Sequence, residues 1–237
     1  MFDLAGQKVL VIGGSSGMGL ATAELAAKSG AEVTIASRSL AKLDAAAKTI
    51  DVEVNRRVID VTDFNNVEAF FSGSTLWDHV IVTGSDVTIA AVRELPIEAA
   101  RASYDSKFWG FYFVAKAARI KPGGSLSVLA GYLASRPVAG RALMGAINSA
   151  LESLVRGLAL ELKPIRVNAV SPGVVDTAMW HGIPEESRKA MFEKLCASYP
   201  AGCVGQPRDI ARQLLLLAAT PYATGVVVTL DGGASLI

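Results

Sequence analysis

Short apolar, β-branched runs alternate along this chain with longer amphipathic stretches. The strand candidates are Val9–Ile12, Glu32–Ala36, Arg57–Ile59, Val80–Thr83, Leu126–Leu129, Arg166–Val170 and Val226–Thr229. Most are apolar at consecutive positions, the pattern of a strand buried on both faces. Helical patterns lie between them, over Met18–Lys28, Leu40–Lys48, Asn66–Phe71, Pro96–Ile120, Val138–Leu162 and Pro207–Ala219. Alternation repeated this often predicts an α/β fold: a Rossmann-type, doubly wound parallel sheet of about seven strands with helices on both faces. No Pro/Gly/Ser-rich linker or charge run breaks the rhythm, so residues 1–237 read as one domain. The long irregular stretch runs from Ser171 to about Ala201 and holds Trp180, His181 and a short helix over Glu185–Leu195. Irregular chain of that length in a compact domain is usually a lid or binding loop, expected here at about 174–201.

Composition narrows the class. Hydrophobic residues make up 51% of the chain, enough for a large core. The net charge is +1, with acids and bases interspersed, which argues against nucleic acid or an anionic membrane as partner. The longest apolar run, Leu214 to Ala219, is far too short to span a bilayer. The start of the chain, with Asp3 and Lys8, lacks a signal-peptide layout. Cys196 and Cys203 have no metal-ligand spacing and read as reduced thiols. The expectation is a cytoplasmic protein, without a metal, that handles a small molecule.

The first candidate chemistry comes directly after the first strand. Gly13-Gly14-Ser15-Ser16-Gly17-Met18-Gly19 joins that strand to the first helix. Gly13 permits a tight turn that a Cβ would block. Gly17 lets backbone approach a pyrophosphate, and Gly19 lets helix pack on strand. The helix N-terminus then presents free N–H groups and a positive dipole end to phosphates. A lone glycine cluster is a weak signal; its place in a strand–turn–helix is what makes this one a dinucleotide cradle.

The second strand candidate ends in Ala36-Ser37-Arg38-Ser39. An NAD site usually has an acid near this point to hold the ribose 2′-OH, and that acid would repel a 2′-phosphate. Here a guanidinium and two hydroxyls stand instead. Arg38 can make charge-assisted, bidentate bonds to a phosphate. A purely structural Arg at a helix start would be disfavoured by the dipole. The chemistry favours NADP(H).

The spacing Gly13-x-x-x-Gly17-x-Gly19 resembles the fingerprint of the short-chain dehydrogenase/reductase family, and so does the order of the motifs further along the chain. Asp60-Val61 is similar to the family's adenine-contacting pair. Val82-Thr83-Gly84-Ser85 occupies the family's Asn-Asn-Ala-Gly segment, loosely matched. Ile165-Arg166-Val167-Asn168-Ala169-Val170-Ser171-Pro172-Gly173 closely resembles the stretch that ends at the nicotinamide. Asp176-Thr177 fits the position whose hydroxyl holds the carboxamide. Thr224-Gly225 and Val228-Thr229-Leu230-Asp231-Gly232-Gly233 match the family's C-terminal segment. The resemblance spans about residues 5 to 235. It implies cofactor contacts from Gly13, Ser15, Ser16, Gly17, Met18, Gly19, Ser37, Arg38, Ser39, Asp60, Val61, Thr83, Gly84, Ser85, Pro172, Gly173, Val175 and Thr177. It also implies a homo-oligomer, a dimer or homotetramer. Part of the aromatic stripe of Tyr104, Trp109, Phe111, Tyr112 and Phe113 would then lie at a subunit interface.

The resemblance fails where the family does its chemistry. The family uses a Tyr-x-x-x-Lys pair on a long helix, an upstream Ser and an Asn. Aligned on Ala150-Leu151-Glu152, the Tyr position is Met144 and the Lys position Asn148. The Ser falls near Ala130 or Gly131, and the Asn position is Lys107. A thioether neither donates nor accepts a catalytic proton. Lys and Asn look exchanged, which would place the Lys107 ammonium near the nicotinamide ribose with Asn148 as its hydrogen-bond partner. The alternative is a solvated Lys beside an ordinary helix Asn. Tyr132 stands just after the lost Ser position and is a replacement acid or an aromatic that closes the pocket. Ser135, Arg136 and Arg141 in the loop beyond it, and His181 in the long loop, could contact substrate or simply be solvated. His79 and Ser127 read as structural. Three functions fit: an NADP(H)-dependent oxidoreductase with rearranged catalytic residues (Lys107, Tyr132, Asn148), an inactive NADP(H)-binding sensor or partner subunit, or a non-redox enzyme on the same fold.

Overall fold

The buried β-branched runs form the strands that their pattern predicts. The computed structural model describes residues 3–73 and 75–237. Seven strands run in parallel: β1 Lys8–Ile12, β2 Glu32–Ser37, β3 Asn55–Val58, β4 Trp77–Val82, β5 Ile120–Leu129, β6 Arg166–Pro172 and β7 Val227–Leu230. Their order is β3-β2-β1-β4-β5-β6-β7. The helices are α1 Gly17–Lys28, α2 Leu40–Ala47, α3 Phe64–Phe71, α4 Ile97–Tyr104, α5 Gly110–Ala117, α6 Ala142–Glu161, α7 Glu185–Ser198 and α8 Pro207–Ala219.

Side chains alternate across the sheet into two cores. On one face Leu10, Ile12, Val80, Val82, Leu126 and Val128 pack against Phe70 of α3, Phe111 of α5 and Ile147 and Leu151 of α6. On the other, Val9, Val11, Ile35, Ile81 and Val170 pack against Ala23 and Ala26 of α1, Leu43 of α2 and Ile210 and Leu214 of α8. Small residues on α1 suit its close approach to α8 and to the sheet. Arg166 is buried, and among the described residues it has no carboxylate partner. Its guanidinium donates to the carbonyls of Leu217 (2.7 Å), Ala218 (2.6 Å) and Ala223 (3.1 Å), at the negative end of α8. His79 sits inside β4, bonded to Ser125 Oγ (2.8 Å) and Gln7 Oε1 (2.7 Å), and burial lowers its pKa to about 4. Ser127 Oγ, also buried, has no hydrogen-bond partner among the described residues.

The structure departs from the sequence pattern in four places. The predicted helix Pro96–Ile120 is divided: a π-helical turn, Asp105–Trp109, separates α4 from α5, and the chain turns extended at Ala118 so that Ile120 opens β5. The helix predicted over Val138–Leu162 starts only at Ala142, because Gly140 takes a positive φ of 75°. β3 lies upstream of its prediction and is exposed at all four residues, as an edge strand can be. The stretch expected to be irregular is largely helical, with a 3₁₀ turn over Ala178–Gly182 and then α7, which runs three residues beyond its prediction. Among the described residues no helix is long and apolar enough to cross a membrane, and no cluster of His, Cys, Asp or Glu is arranged to hold a metal ion.

Candidate active site

The sheet reverses its winding between β1 and β4, and a crevice opens beyond the carboxyl ends of those strands. Close backbone approaches build its floor. Gly13 has a φ of 89°, and a Cβ there would run into the backbone of Gly84 and the Thr83 hydroxyl. A Cβ on Gly19 would collide with the Gly13 carbonyl, so α1 can start against the turn only with glycine at that place. Gly17, at φ 53°, lies against Thr177 from the far side of the sheet. Thr83 Oγ1 donates to Ile12 O (3.1 Å) and locks β4 to the turn.

A cleft of about 320 Å³ extends from this turn toward the end of β2. Of the predicted cofactor contacts, Gly13, Ser15, Ser16, Ser37, Arg38, Ser39, Val61, Gly84 and Ser85 line it. Ile12, Lys42, Ile59, Thr62, Asp86 and Ser106 line it too, and motif reading missed them. Lys42 had a legible signal, since it stands in the first turn of α2, four residues after Arg38; Asp86 is the next residue after Ser85. Apolar Ile12, Ile59 and Val61 beside the basic Arg38 and Lys42 suit an adenine and a 2′-phosphate respectively. Asp60 does not turn its carboxylate into the cleft: Oδ1 accepts from the Thr62 N–H (3.0 Å) and hydroxyl (2.8 Å). Arg38 Nη2 already has a carboxylate neighbour, Asp86 Oδ2 at 3.3 Å. Met18, Pro172, Gly173 and Val175 are not part of this cleft's lining. Pro172 ends β6, and a Cβ on Gly173 would press on Asp231. Val175 is buried and bridges to Gly205.

The exchanged residues meet. The π turn carries Lys107, whose Nζ donates to Asn148 Oδ1 (2.7 Å) and to the carbonyl of Ala130 (2.9 Å). Two of the three ammonium hydrogens are thus committed and one is left. Asn148 is fully buried on α6, and burial lowers the Lys107 pKa to about 8. A solvated lysine beside an ordinary helix asparagine does not describe this pair. The same asparagine crowds Gly131, one of the two candidates for the serine position beside Ala130: a Cβ on Gly131 would stand 2.6 Å from Asn148 Nδ2. Met144 lies one turn earlier on the same helix, half-buried.

Tyr132 opens a 3₁₀ turn after β5 and is half-buried. Its side chain lies near Tyr199, the residue that follows α7. Burial, then the neighbouring Tyr132 and Asp231, push the Tyr199 pKa up to about 12. The structure therefore brings Lys107 and Asn148 together and places Tyr132 near the C-terminal end of the expected lid. Trp180 is tied down by its indole N–H to Val175 O (2.8 Å) and meets Phe192 of α7 edge-on. His181 is exposed beside Asp176 and Thr177.

The topology, the glycine cradle and the switch-point cleft define a dinucleotide-binding α/β protein. A family model described as enoyl-(acyl carrier protein) reductase matches residues 12–235. The short-chain dehydrogenase/reductase ATR9 of Stachybotrys chlorohalonatus is 31% identical, with both chains covered in full. A small-chain dehydrogenase solved in complex with NADPH is 32% identical, with a TM-score of 0.85 over 98% of this chain and 100% of that one. An NADPH-bound short-chain oxidoreductase from Pseudomonas aeruginosa PAO1, described as containing an atypical catalytic center, is 26% identical. Its TM-score is 0.87 over 99% of this chain and 98% of that one. The chain belongs to the short-chain dehydrogenase/reductase family of oxidoreductases.

Proposed function

We propose that this protein is an active NADP(H)-dependent oxidoreductase of a small carbonyl or alcohol substrate, in which the Lys107–Asn148 pair replaces the family's Tyr–Lys pair. The observation that carries the reading is the Nζ of half-buried Lys107, fixed by Asn148 Oδ1 and Ala130 O with one donor left over. The coenzyme supplies hydride at the nicotinamide when bound. The cradle from Gly13 to Gly19 holds the pyrophosphate, Arg38 and Ser39 take the 2′-phosphate, and Pro172, Gly173, Val175 and Thr177 frame the nicotinamide end. Lys107 orients the ribose and stabilises the negative charge that develops on a substrate oxygen, an ammonium in a dry pocket being worth more than one in water. Asn148 holds Lys107 in place and keeps its ammonium from solvent. A pKa near 8 lets the ammonium also give up a proton close to neutral pH.

A second reading, a catalytically inactive NADP(H) sensor or partner subunit, is favoured by Met144 alone, since no thioether moves a proton. Tyr132 and the segment 174–201 close the substrate side in the first reading, and the protein is a cytoplasmic homo-oligomer. Exposed Trp109 and Tyr112 support an interface on α5 and the π turn before it. The deciding experiment tracks NADPH oxidation over ketones, aldehydes, quinones and imines, with Lys107→Met and Tyr132→Phe run beside the wild type. Turnover reduced at least tenfold in Lys107→Met supports the first reading. Tight NADPH binding with no turnover across the panel favours the second.

A further inference from the structure

We propose that Asp86 is a coenzyme-discriminating residue that competes with the adenosine 2′-phosphate for Arg38, and so sets how strongly this protein prefers NADP(H). The inference rests on NADP(H) occupying the cleft and is independent of whether the protein turns over. Arg38 and Asp86 come from opposite walls of the cleft, beyond the ends of β2 and β4, and their side chains meet at 3.3 Å across it. The acid is held at that place by its backbone. Its N–H donates to the buried Ser106 Oγ (2.7 Å), and two residues on the Thr88 N–H donates to the buried Ser103 Oγ (3.0 Å). Two serines of α4 and the π turn thereby fasten the segment after β4, with Asp86 at the cleft's mouth.

A 2′-phosphate entering beside Arg38, Ser39 and Lys42 must take the guanidinium from this carboxylate and then stand near its negative charge. A coenzyme with a plain 2′-hydroxyl does neither. Asp86 therefore acts against NADPH and leaves NADH nearly untouched. Both side chains are more than half exposed, 60% for Arg38 and 70% for Asp86, so the contact parts readily. Exposed pairs of this kind shift an equilibrium by up to about fivefold. Loss of the direct repulsion from the phosphate adds to that, and salt screens it.

The test is direct titration of NADPH and of NADH, read by nucleotide fluorescence, on the wild type, Asp86→Asn, Arg38→Ala and the double variant. Asp86→Asn is expected to tighten NADPH by about three- to tenfold with NADH moving less than about twofold. Most of that gain disappears in the Arg38→Ala background and shrinks in high salt. An unchanged ratio of the two affinities in Asp86→Asn, or weaker NADPH binding, overturns the proposal; so does a gain that survives intact without Arg38. Asp86→Ser, with unfolding of the free protein measured for each variant, separates a local effect from a folding defect: the proposal requires the same direction in both. No step of this test uses turnover, so it stands apart from the experiment on Lys107.

Discussion

The two ends of the active site are specified by different means. At the nucleotide end, recognition is a property of the backbone: a positive φ at Gly13, a missing Cβ at Gly19 and the start of α1. At the reaction end it is a property of side chains, and there Met144, Asn148, Lys107 and either Ala130 or Gly131 stand where the resemblance places the family's four chemical groups. A backbone cradle tolerates almost no substitution, because the colliding partner is backbone that cannot move aside. A side-chain constellation can be exchanged as a set, provided that the new members fit one another. Lys107 with Asn148, and Gly131 making room for Asn148, are such a set.

The most direct way to break the comparison is at the nucleotide end. Gly19→Val should lower NADPH affinity by at least about 100-fold, roughly 2.8 kcal/mol, measured by titration with circular dichroism as the fold control. Survival of tight binding would mean that the cradle is less rigid than its contacts imply. At the reaction end, Lys107→Met leaves Asn148 Oδ1 and Ala130 O without their donor and should destabilise the protein by about 1–3 kcal/mol at neutral pH. The same variant sharpens the pH behaviour. The folded Lys107 pKa, about 8, lies below the ordinary lysine value of 10.5, so the unfolded chain binds more protons between the two. Wild-type stability therefore gains from this group as pH rises from 8 toward 10.5, and denaturant unfolding of Lys107→Met should lack that gain. If Lys107 acts as an ammonium, turnover should fall as pH rises through 8.

Gly131→Ser, at one of the two candidate serine positions, should cost about 1–3 kcal/mol because its Cβ presses on the Asn148 amide. Asn148→Ala should recover part of that cost in the double variant. Strict additivity of the two changes would show that the reaction end is not co-adapted. The smallest effect is expected for Tyr132→Phe. Removing its hydroxyl should change stability by no more than about 1 kcal/mol and lower turnover less than tenfold; a larger loss of turnover would make Tyr132 the proton donor.

Legibility in the sequence divides along the same line. The glycine turn, Arg38 and the β6 segment could be read directly, because glycine positions and buried β-branched runs report backbone geometry with no need of distant partners. The exchange of Lys107 and Asn148 could be read as a substitution pattern, but their contact depends on a π turn that places Lys107, and helical periodicity gave no sign of it. Asp86 and Ser106 were missed because the cleft joins residues from several strand ends and helix starts that are far apart along the chain. In the long stretch before α8 the helix over Glu185–Leu195 could be read, but not the 3₁₀ turn Ala178–Gly182, which is too short to carry a helical period.

The strand order has a consequence for how the protein comes into being. β1 lies inside the sheet, and one of its two neighbours is the central strand β4, with Val9 opposite His79. The turn after β1 leans on Thr83 and Gly84, so the cradle has no second wall until the chain has been synthesised beyond Gly84 and has closed a loop of that length. Pairings so distant along the chain form slowly. Coenzyme can then engage only a chain whose central strands have already assembled, and its stabilising effect acts on the completed domain rather than on a nascent half.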